Sequence, residues 1–422
     1  MGAGQDAAAP LPLPLSGIRI LDLTRILAGP WATQNLADLG AEVIKIENPR
    51  GGDDTRHMGP PFVRDIRSGE PADASYFLSC NRAKESVAID ITTPAGRDLV
   101  RRLAAKCDVL IENYKVGGLA KYGLDYATLH AELPDLVYCS VTGFGQNGPY
   151  AQRAGYDYLI QGMGGLMSVT GEGDGAPGGG PQRAGVALAD ILSGMYAALA
   201  IVSALRHRDH GGGGQHIDIG MLDVQVAVLA NQAMNYLTTG RAPGRMGNGH
   251  PNIVPYQSFK ASDGYLILAV GNDAQFRRMA QAMGRPDIGE NPRYRTIALR
   301  VANRDELVPL LAGIIATRTI DEWVAAMAAV EVPCGPINTI DRVFADPQVV
   351  SRGVQLTLPH AGAGTVPSVA NPIRLSETPL RYESAPPVLG QHTREVLARV
   401  LGASQEELAA LAAQCVIKDA TP

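Results

Sequence analysis

The chain has 422 residues, 45% of them hydrophobic and 19% charged, and its 37 Lys and Arg against 42 Asp and Glu leave a formal charge of -5. At roughly 150 residues per domain this is enough chain for two or three domains with a sizeable core, which excludes a disordered or fibrous protein. The mild acidity and the lack of a Lys/Arg block argue against a nucleic-acid or membrane partner, so an anionic ligand must be held by a few placed cations.

Along the chain, residues 1–15 are rich in Ala and Pro with no basic residue before Arg19, unlike a secretory or transit peptide. From residue 18 short aliphatic runs alternate with helical patterns: strands at 18–24, 41–47, 109–113 and 136–141, helices at 30–39 and 94–105. That alternation predicts right-handed βαβ units on a parallel sheet. Thr93 followed by Pro94 reads as an N-cap with proline at the first helical position, and Gly40 as a helix stop. Residues 186–208 form a long apolar helix that contains Asp190 and runs into Arg206, His207 and Arg208, a buried helix rather than a membrane span.

A strand is expected at 216–220 and a helix through 221–237, after which the texture changes. Asp263-Gly264 precedes a strand at 265–270, and Thr319 with Glu322 forms a capping box before a Trp323, Met327, Val330 stripe. Strands at 354–358 and 373–375 and a helix boxed by Ser404 and Glu407 close the chain. Residues 1–223 with 345–422 are taken as a large domain and 224–344 as a small one. Cys80, Cys107, Cys139, Cys334 and Cys415 are odd in number and contain no CxxC pair, which points to a reducing, cytoplasmic setting.

The first βα turn sits where a dinucleotide fold carries glycines, but Arg25, Ile26 and Leu27 fill that place, and no nicotinamide is expected. The glycines at 211–214 lack the Lys-Ser/Thr of a phosphate loop and read as a linker. No histidine pair has metal-ligand spacing, so no metal site is expected. Asp190 lies between apolar residues, where an ionised carboxylate is costly. The residues alone leave two readings open, a functional carboxylate and a helix N-cap. The loop Arg153-Ala154-Gly155-Tyr156-Asp157 and the glycines at 162–165 would let a ligand approach the backbone, or would simply connect elements.

Taken together, LDLTRILAGP (21–30), LGAEVIKIE (39–47), GDDTR (52–56), NRAK (81–84), ENY (112–114), GVALADILSG (185–194), QHID (215–218) and VPCGP (332–336) resemble, in order and wording, the class III CoA-transferases. RAGYD (153–157), IVPYQ (253–257), DPQ (346–348) and LGQHT (389–393) are most similar to the branch acting on succinate and hydroxymethylglutarate, which implies a dicarboxylyl donor or acceptor such as succinate or glutarate. The resemblance implies an α/β fold with a Rossmann-like large domain on a parallel sheet, a smaller α+β domain, and an interlocked homodimer. It implies coenzyme A as part of the acyl-CoA substrate, a carboxylic acid as the second substrate, and no metal.

On the same resemblance Asp190 is the covalent nucleophile, ionised at neutral pH from its ordinary value of about 3.9. Tyr156 and Asp157 are expected to line the acyl pocket, and one or more of Arg25, Arg56 and Arg183 to hold the far carboxylate of a diacid. CoA contacts carry over to Ile26, Leu27, Asn48, Arg50, Asn81, Arg82, Lys84, Asn113, Tyr114 and Lys121. Leu27 and Asn48 depart from the glutamine and arginine of formyl-CoA transferase, and its tetraglycine loop has no counterpart here. Alpha-methylacyl-CoA racemases share the fold but carry a His-Asp pair where this chain has Tyr156-Asp157, and tyrosine is a poor base at neutral pH. A racemase and a silent CoA-binding protein are the alternative readings.

Overall fold

The computed structural model describes residues 11–420. The chain divides into two compact units: Met1–Gly165, Gly185–Ala233 and Gln348–Pro422 form the first, and Leu166–Ala184 and Met234–Pro347 the second.

The first unit is built on a sheet of six parallel strands, β1 (Arg19–Asp22), β2 (Glu42–Glu47), β3 (Lys84–Ile89), β4 (Val109–Glu112), β5 (Val137–Thr142) and β6 (His216–Gly220). Their order is 3-2-1-4-5-6, with Ile417–Lys418 added antiparallel on β3. This is the doubly wound order in which ligands bind at the carboxyl ends of the strands, where the order reverses between β1 and β4. Alternate side chains go to opposite faces. Leu21, Ile44, Val87 and Leu110 enter one core layer with Leu99 and Leu103 of helix α2 (Pro94–Ala104). Ile20, Val43, Val109 and Val137 enter the other, with Ala32 and Leu36 of α1 (Ala28–Asp38) and Ala197 and Ile201 of the long apolar helix. Period-two alternation therefore fills two layers, and the strands read as apolar runs because both faces are covered.

Helix α3 (Asp157–Met163) and the long helix α4 (Leu188–His207) follow β5. Stretch Leu188–Gly212 is long and apolar enough to cross a membrane by length and composition. In this fold its Ala189, Ser193, Gly194, Ala197, Ile201 and Ala204 are buried among α1 and the sheet. A Cβ on Gly194 would stand 2.5 Å from the Ala28 carbonyl oxygen, so its bare backbone is what lets α1 and α4 meet.

The second unit has a three-stranded antiparallel sheet of Tyr256–Lys260, Tyr265–Ala269 and Cys334–Pro336. Its core is Phe276, Met279, Leu307, Leu311, Trp323 and Met327, and the capping box at Thr319 and Glu322 forms as its spacing predicts.

Three expectations change. The helix expected through 221–237 is two, Met221–Ala227 and Asn231–Thr239, broken near Ala230, whose φ is +46°. Residues 373–375 pair with no strand. Strand β3, unforeseen, starts inside a polar NRAKES run, because Lys84 and Ser86 are buried by partners elsewhere in the fold rather than by apolar neighbours.

Candidate active site

Asp190 lies in the first turn of α4, whose N-cap is Ala187, so it is not the cap. Asp157 closes that helix start instead: Oδ1 accepts the Ala189 N–H at 2.9 Å and Oδ2 accepts Gln161 Nε2 at 2.7 Å. Relieved of capping, the Asp190 carboxyl opens onto a cavity of about 370 Å³ lined by Ile26, Asn113, Tyr114, Gly143, Arg153 and Tyr156, among others. Gly143 and Gly155 pack backbone to backbone, and a Cβ on either would come within 2.6 Å of the other's Cα.

Burial, then the nearby Asp157 charge, pushes the Asp190 carboxyl up to about 7, against the Ala28 N–H, whose hydrogen bond lowers it. Against the expectation of an Asp190 ionised from its ordinary value, the fold raises its carboxyl towards neutrality. Asp157, expected to line the acyl pocket, is buried and is not part of the cavity lining.

The turn from β1 into α1 is held by side chains where a dinucleotide fold uses glycines. Asn113 clamps Arg25 from both sides, its Oδ1 accepting the Arg25 N–H at 2.9 Å and its Nδ2 donating to the Arg25 carbonyl at 2.7 Å. The Ile26 N–H donates to Asp53 Oδ1 at 3.2 Å, and Ile26 has φ +71°, a conformation that a β-branched residue adopts only under constraint. Asp53 is anchored on the buried Lys45 at 2.9 Å. Burial alone would raise its carboxyl, but Lys45 and the Thr55 N–H hold it at about 2. Leu27, buried, precedes the first residue of α1.

A second cavity, about 410 Å³, opens at the carboxyl ends of β1, β2 and β3. It is lined by Thr24, Asn48, Arg50, Gly51, Thr92 and Tyr122, among others, and shares Arg25 and Tyr114 with the first. The Arg25 guanidinium stands 5.7 Å from the Tyr114 ring centroid and pairs with Asp54 at 2.9 Å. Asn48 and Arg50 are exposed at the rim, the Asn48 side chain accepting the Arg50 N–H at 2.9 Å. Lys121 is exposed, with its ammonium 4.7 Å from the Tyr122 ring centroid.

Arg56, Asn81, Arg82 and Lys84, expected as ligand contacts, are buried inside the first unit. Arg56 is buried and fully engaged: it forks onto Glu47 at 2.8 and 2.7 Å, pairs with Asp73 at 2.8 Å, donates to the Pro387 carbonyl and lies on the Phe77 ring. Arg82 forks onto Asp38 at 2.8 and 2.6 Å and also donates to Ser368 and Val369. Lys84 uses its three donors on Asp22, the Pro30 carbonyl and Asn81 Oδ1, and Asn81 is fully buried beneath it. Instead of facing a ligand, these cations neutralise carboxylates inside the fold. Arg183 is exposed on the second unit. Arg56→Ala is expected to leave Glu47 unpaired and cost about 3–5 kcal/mol of stability, read as a lower urea midpoint; an unchanged midpoint would contradict the network.

Three side chains at the site lay outside the sequence-based set. Tyr76 has its phenol pushed up to about 12 by burial and then by Asp190, Cys80 and Asp157, which keeps it a neutral hydroxyl beside the Asp190 carboxyl. Arg153 and Lys115 line the Asp190 cavity. Tyr76 carried no signal, since its element, Ser75–Leu78, is a single turn. Arg153 stood in a motif singled out for its neighbours Tyr156 and Asp157.

The sequence pattern of CoA-transferase family III matches residues 15–393. The chain belongs to that family. As a CoA-transferase it is 54% identical over 392 residues to the succinate–glutarate CoA-transferase of Agrobacterium fabrum, covering 92% of this chain and 96% of that one. It is 43% identical over 388 residues to human succinyl-CoA:glutarate CoA-transferase, covering 92% of this chain and 86% of that one. Among solved structures, a CAIB/BAIF family protein from Brucella suis superposes with TM-score 0.81 at 50% identity, covering 92% of this chain and all of that one. The mostly parallel α/β sheet of the CoA-transferase is thus the fold of its relatives.

Proposed function

We propose that the chain moves CoA between dicarboxylic acids, succinate and glutarate among them, through a covalent intermediate on Asp190. The observation that carries the mechanism is a carboxylate freed from helix capping, facing a cavity and hydrogen-bonded by the Ala28 N–H at the start of α1. The diacid class rests on the names of the relatives.

Asp190 must first lose its proton. Its carboxylate then attacks the acyl-CoA carbonyl, the C–S bond breaks, and a mixed anhydride and CoA thiolate form. The thiolate attacks the aspartyl carbonyl of the anhydride, releasing the donor acid and leaving an aspartyl-CoA thioester. The acceptor carboxylate attacks that thioester to form a second anhydride, and the thiolate takes the acceptor's acyl group, which restores the Asp190 carboxylate. Charge builds on the aspartyl carbonyl oxygen in the two middle steps, and the Ala28 N–H at the positive end of α1 is a donor directed at that group.

Under this reading the nucleotide end of CoA takes the cavity at the strand ends, with Arg50 and Arg25 near its phosphates, and the thioester reaches Asp190 past Tyr114 and Ile26. Asn113 acts by fixing the Arg25 turn and Lys121 lies at the outer edge. Tyr156, 71% exposed in the single chain, borders the acyl end. The test is CoA exchange from succinyl-CoA to a panel of mono- and dicarboxylic acids, read by mass spectrometry. Glutaryl-CoA formed by the wild type and by no Asp190→Ala preparation is the expected result; deuterium uptake at the alpha carbon of a 2-methylacyl-CoA, without transfer, would favour a racemase.

The same proposal takes the enzyme as a homodimer in the cytoplasm. Its five cysteines are free, which fits a reducing compartment. Met195, Leu199 and Val202 of α4, with Tyr158, Leu159 and Met163 of α3, are large apolar side chains left exposed in the single chain. Exposed apolar faces of this kind mark subunit contacts. Leu199→Glu is expected to shift the light-scattering mass from two chains towards one; a wild type with the mass of one chain would refute the dimer.

A further inference from the structure

Three cations line the Asp190 cavity: Arg25, Lys115 and Arg153. Arg25 has given its guanidinium to Asp54. Arg153 is held in a different way. Its backbone N–H donates to the Tyr150 carbonyl at 2.8 Å, closing a turn, and its guanidinium stands 4.6 Å from the Tyr150 ring centroid and 5.4 Å from that of Phe144. Those two rings are themselves packed edge to face at 5.6 Å. No carboxylate of the described residues lies within ion-pair distance of Arg153. A guanidinium laid on aromatic faces keeps its edge donors open while its plane is fixed, which suits two parallel hydrogen bonds to a carboxylate. The residues after Arg153 tie this cation to the reacting group: Gly155 packs on Gly143, and Asp157 fixes the start of the helix that bears Asp190.

We propose that Arg153 is the specificity-determining residue that binds the distal carboxylate of a diacid substrate, while the other end of that diacid reacts at Asp190. The inference rests on the proposed acyl-transfer role of the cavity and adds what the cavity selects. Lys115, exposed as Arg153 is, is a point charge without a planar fork; of the sequence-based candidates for this role, Arg25 pairs with Asp54, Arg56 is sealed inside the fold and Arg183 belongs to the second unit. A monoacid offers the Arg153 fork no carboxylate, so the diacid gains a pair of charge-assisted hydrogen bonds that the monoacid lacks.

The experiment compares glutarate with glutaramate, in which the distal carboxylate is replaced by an amide of the same shape, as CoA acceptors from acetyl-CoA. Wild type, Arg153→Gln, Arg153→Lys, Lys115→Ala and Asp190→Ala are measured for kcat and KM. In the wild type, kcat/KM is expected to favour glutarate. Arg153→Gln is expected to lower glutarate kcat/KM about 30- to 100-fold, mostly through KM, with glutaramate changed less than threefold. Arg153→Lys should recover part of the glutarate loss, and Lys115→Ala should leave the ratio unaltered. An equal loss for both acceptors in Arg153→Gln, no loss for either, or a wild type that treats the two acceptors alike would overturn the assignment. Failure of the underlying reading has a different signature, transfer that persists in Asp190→Ala.

Discussion

Asp190→Asn is expected to abolish CoA transfer, lowering kcat by about 10⁴-fold or more, because an amide cannot form the mixed anhydride and no other carboxylate is among the described residues that line the cavity. The same substitution should stabilise the protein. The Asp190 carboxyl is raised from 3.8 to about 7 in the fold, so between those values the folded chain holds a proton that the unfolded chain has released. Its contribution to stability therefore falls as pH rises through that window and is lowest above pH 7. A neutral amide at this position escapes the cost. The variant should unfold several degrees higher than wild type at pH 8, by up to about 4 kcal/mol, with the gap closing as pH falls towards 4. In the wild type, kcat/KM should rise about tenfold per pH unit below 7 and level off above it. Equal thermal midpoints for both proteins at pH 8 would mean that Asp190 carries no burial cost.

Gly194→Ala is expected to lower kcat by about 10- to 100-fold without unfolding the chain, although it touches neither substrate nor nucleophile. Its Cβ would meet the Ala28 carbonyl at 2.5 Å and Trp31 side-chain atoms at 3.2 Å, so α1 must move away from α4. Asp190 lies one turn before Gly194 on α4, and the Ala28 N–H that supports it lies at the start of α1. Displacement of a donor by an ångström is enough for a loss of this size. Far-ultraviolet circular dichroism checks the fold and single-turnover kinetics the chemical step. Wild-type kinetics in a folded Gly194→Ala would show that the contact does not position the site.

How legible these features were depended on whether local pattern or distant contact decides them. The parallel sheet was readable because β1, β2, β4 and β5 are apolar runs separated by helical stretches. Strand β3 was not, since its Lys84 and Ser86 are partnered by Asp22 on β1 and Glu47 on β2, a contact no window of sequence contains. Asp190 stood out as a carboxylate in apolar surroundings, but its raised pKa did not, because that depends first on burial in the fold and then on the charge of Asp157, 33 residues upstream in the chain. Arg56, Arg82 and Lys84 resembled ligand cations for the same reason that they fold inward: the sequence shows a positive charge, and only the fold shows its partner. Arg153 is the converse case, a cation whose lack of a carboxylate partner among the described residues becomes visible only when the rings of Phe144 and Tyr150 are seen beside it.

The covalent intermediate can be caught by mass analysis of proteolytic fragments after brief mixing with succinyl-CoA and quenching in acid, with no acceptor added. A CoA adduct, less water, on the fragment carrying Asp190, absent from Asp190→Asn and discharged by glutarate to give glutaryl-CoA, is the result this account predicts. An unmodified Asp190 fragment from enzyme that turns over at full rate would contradict it.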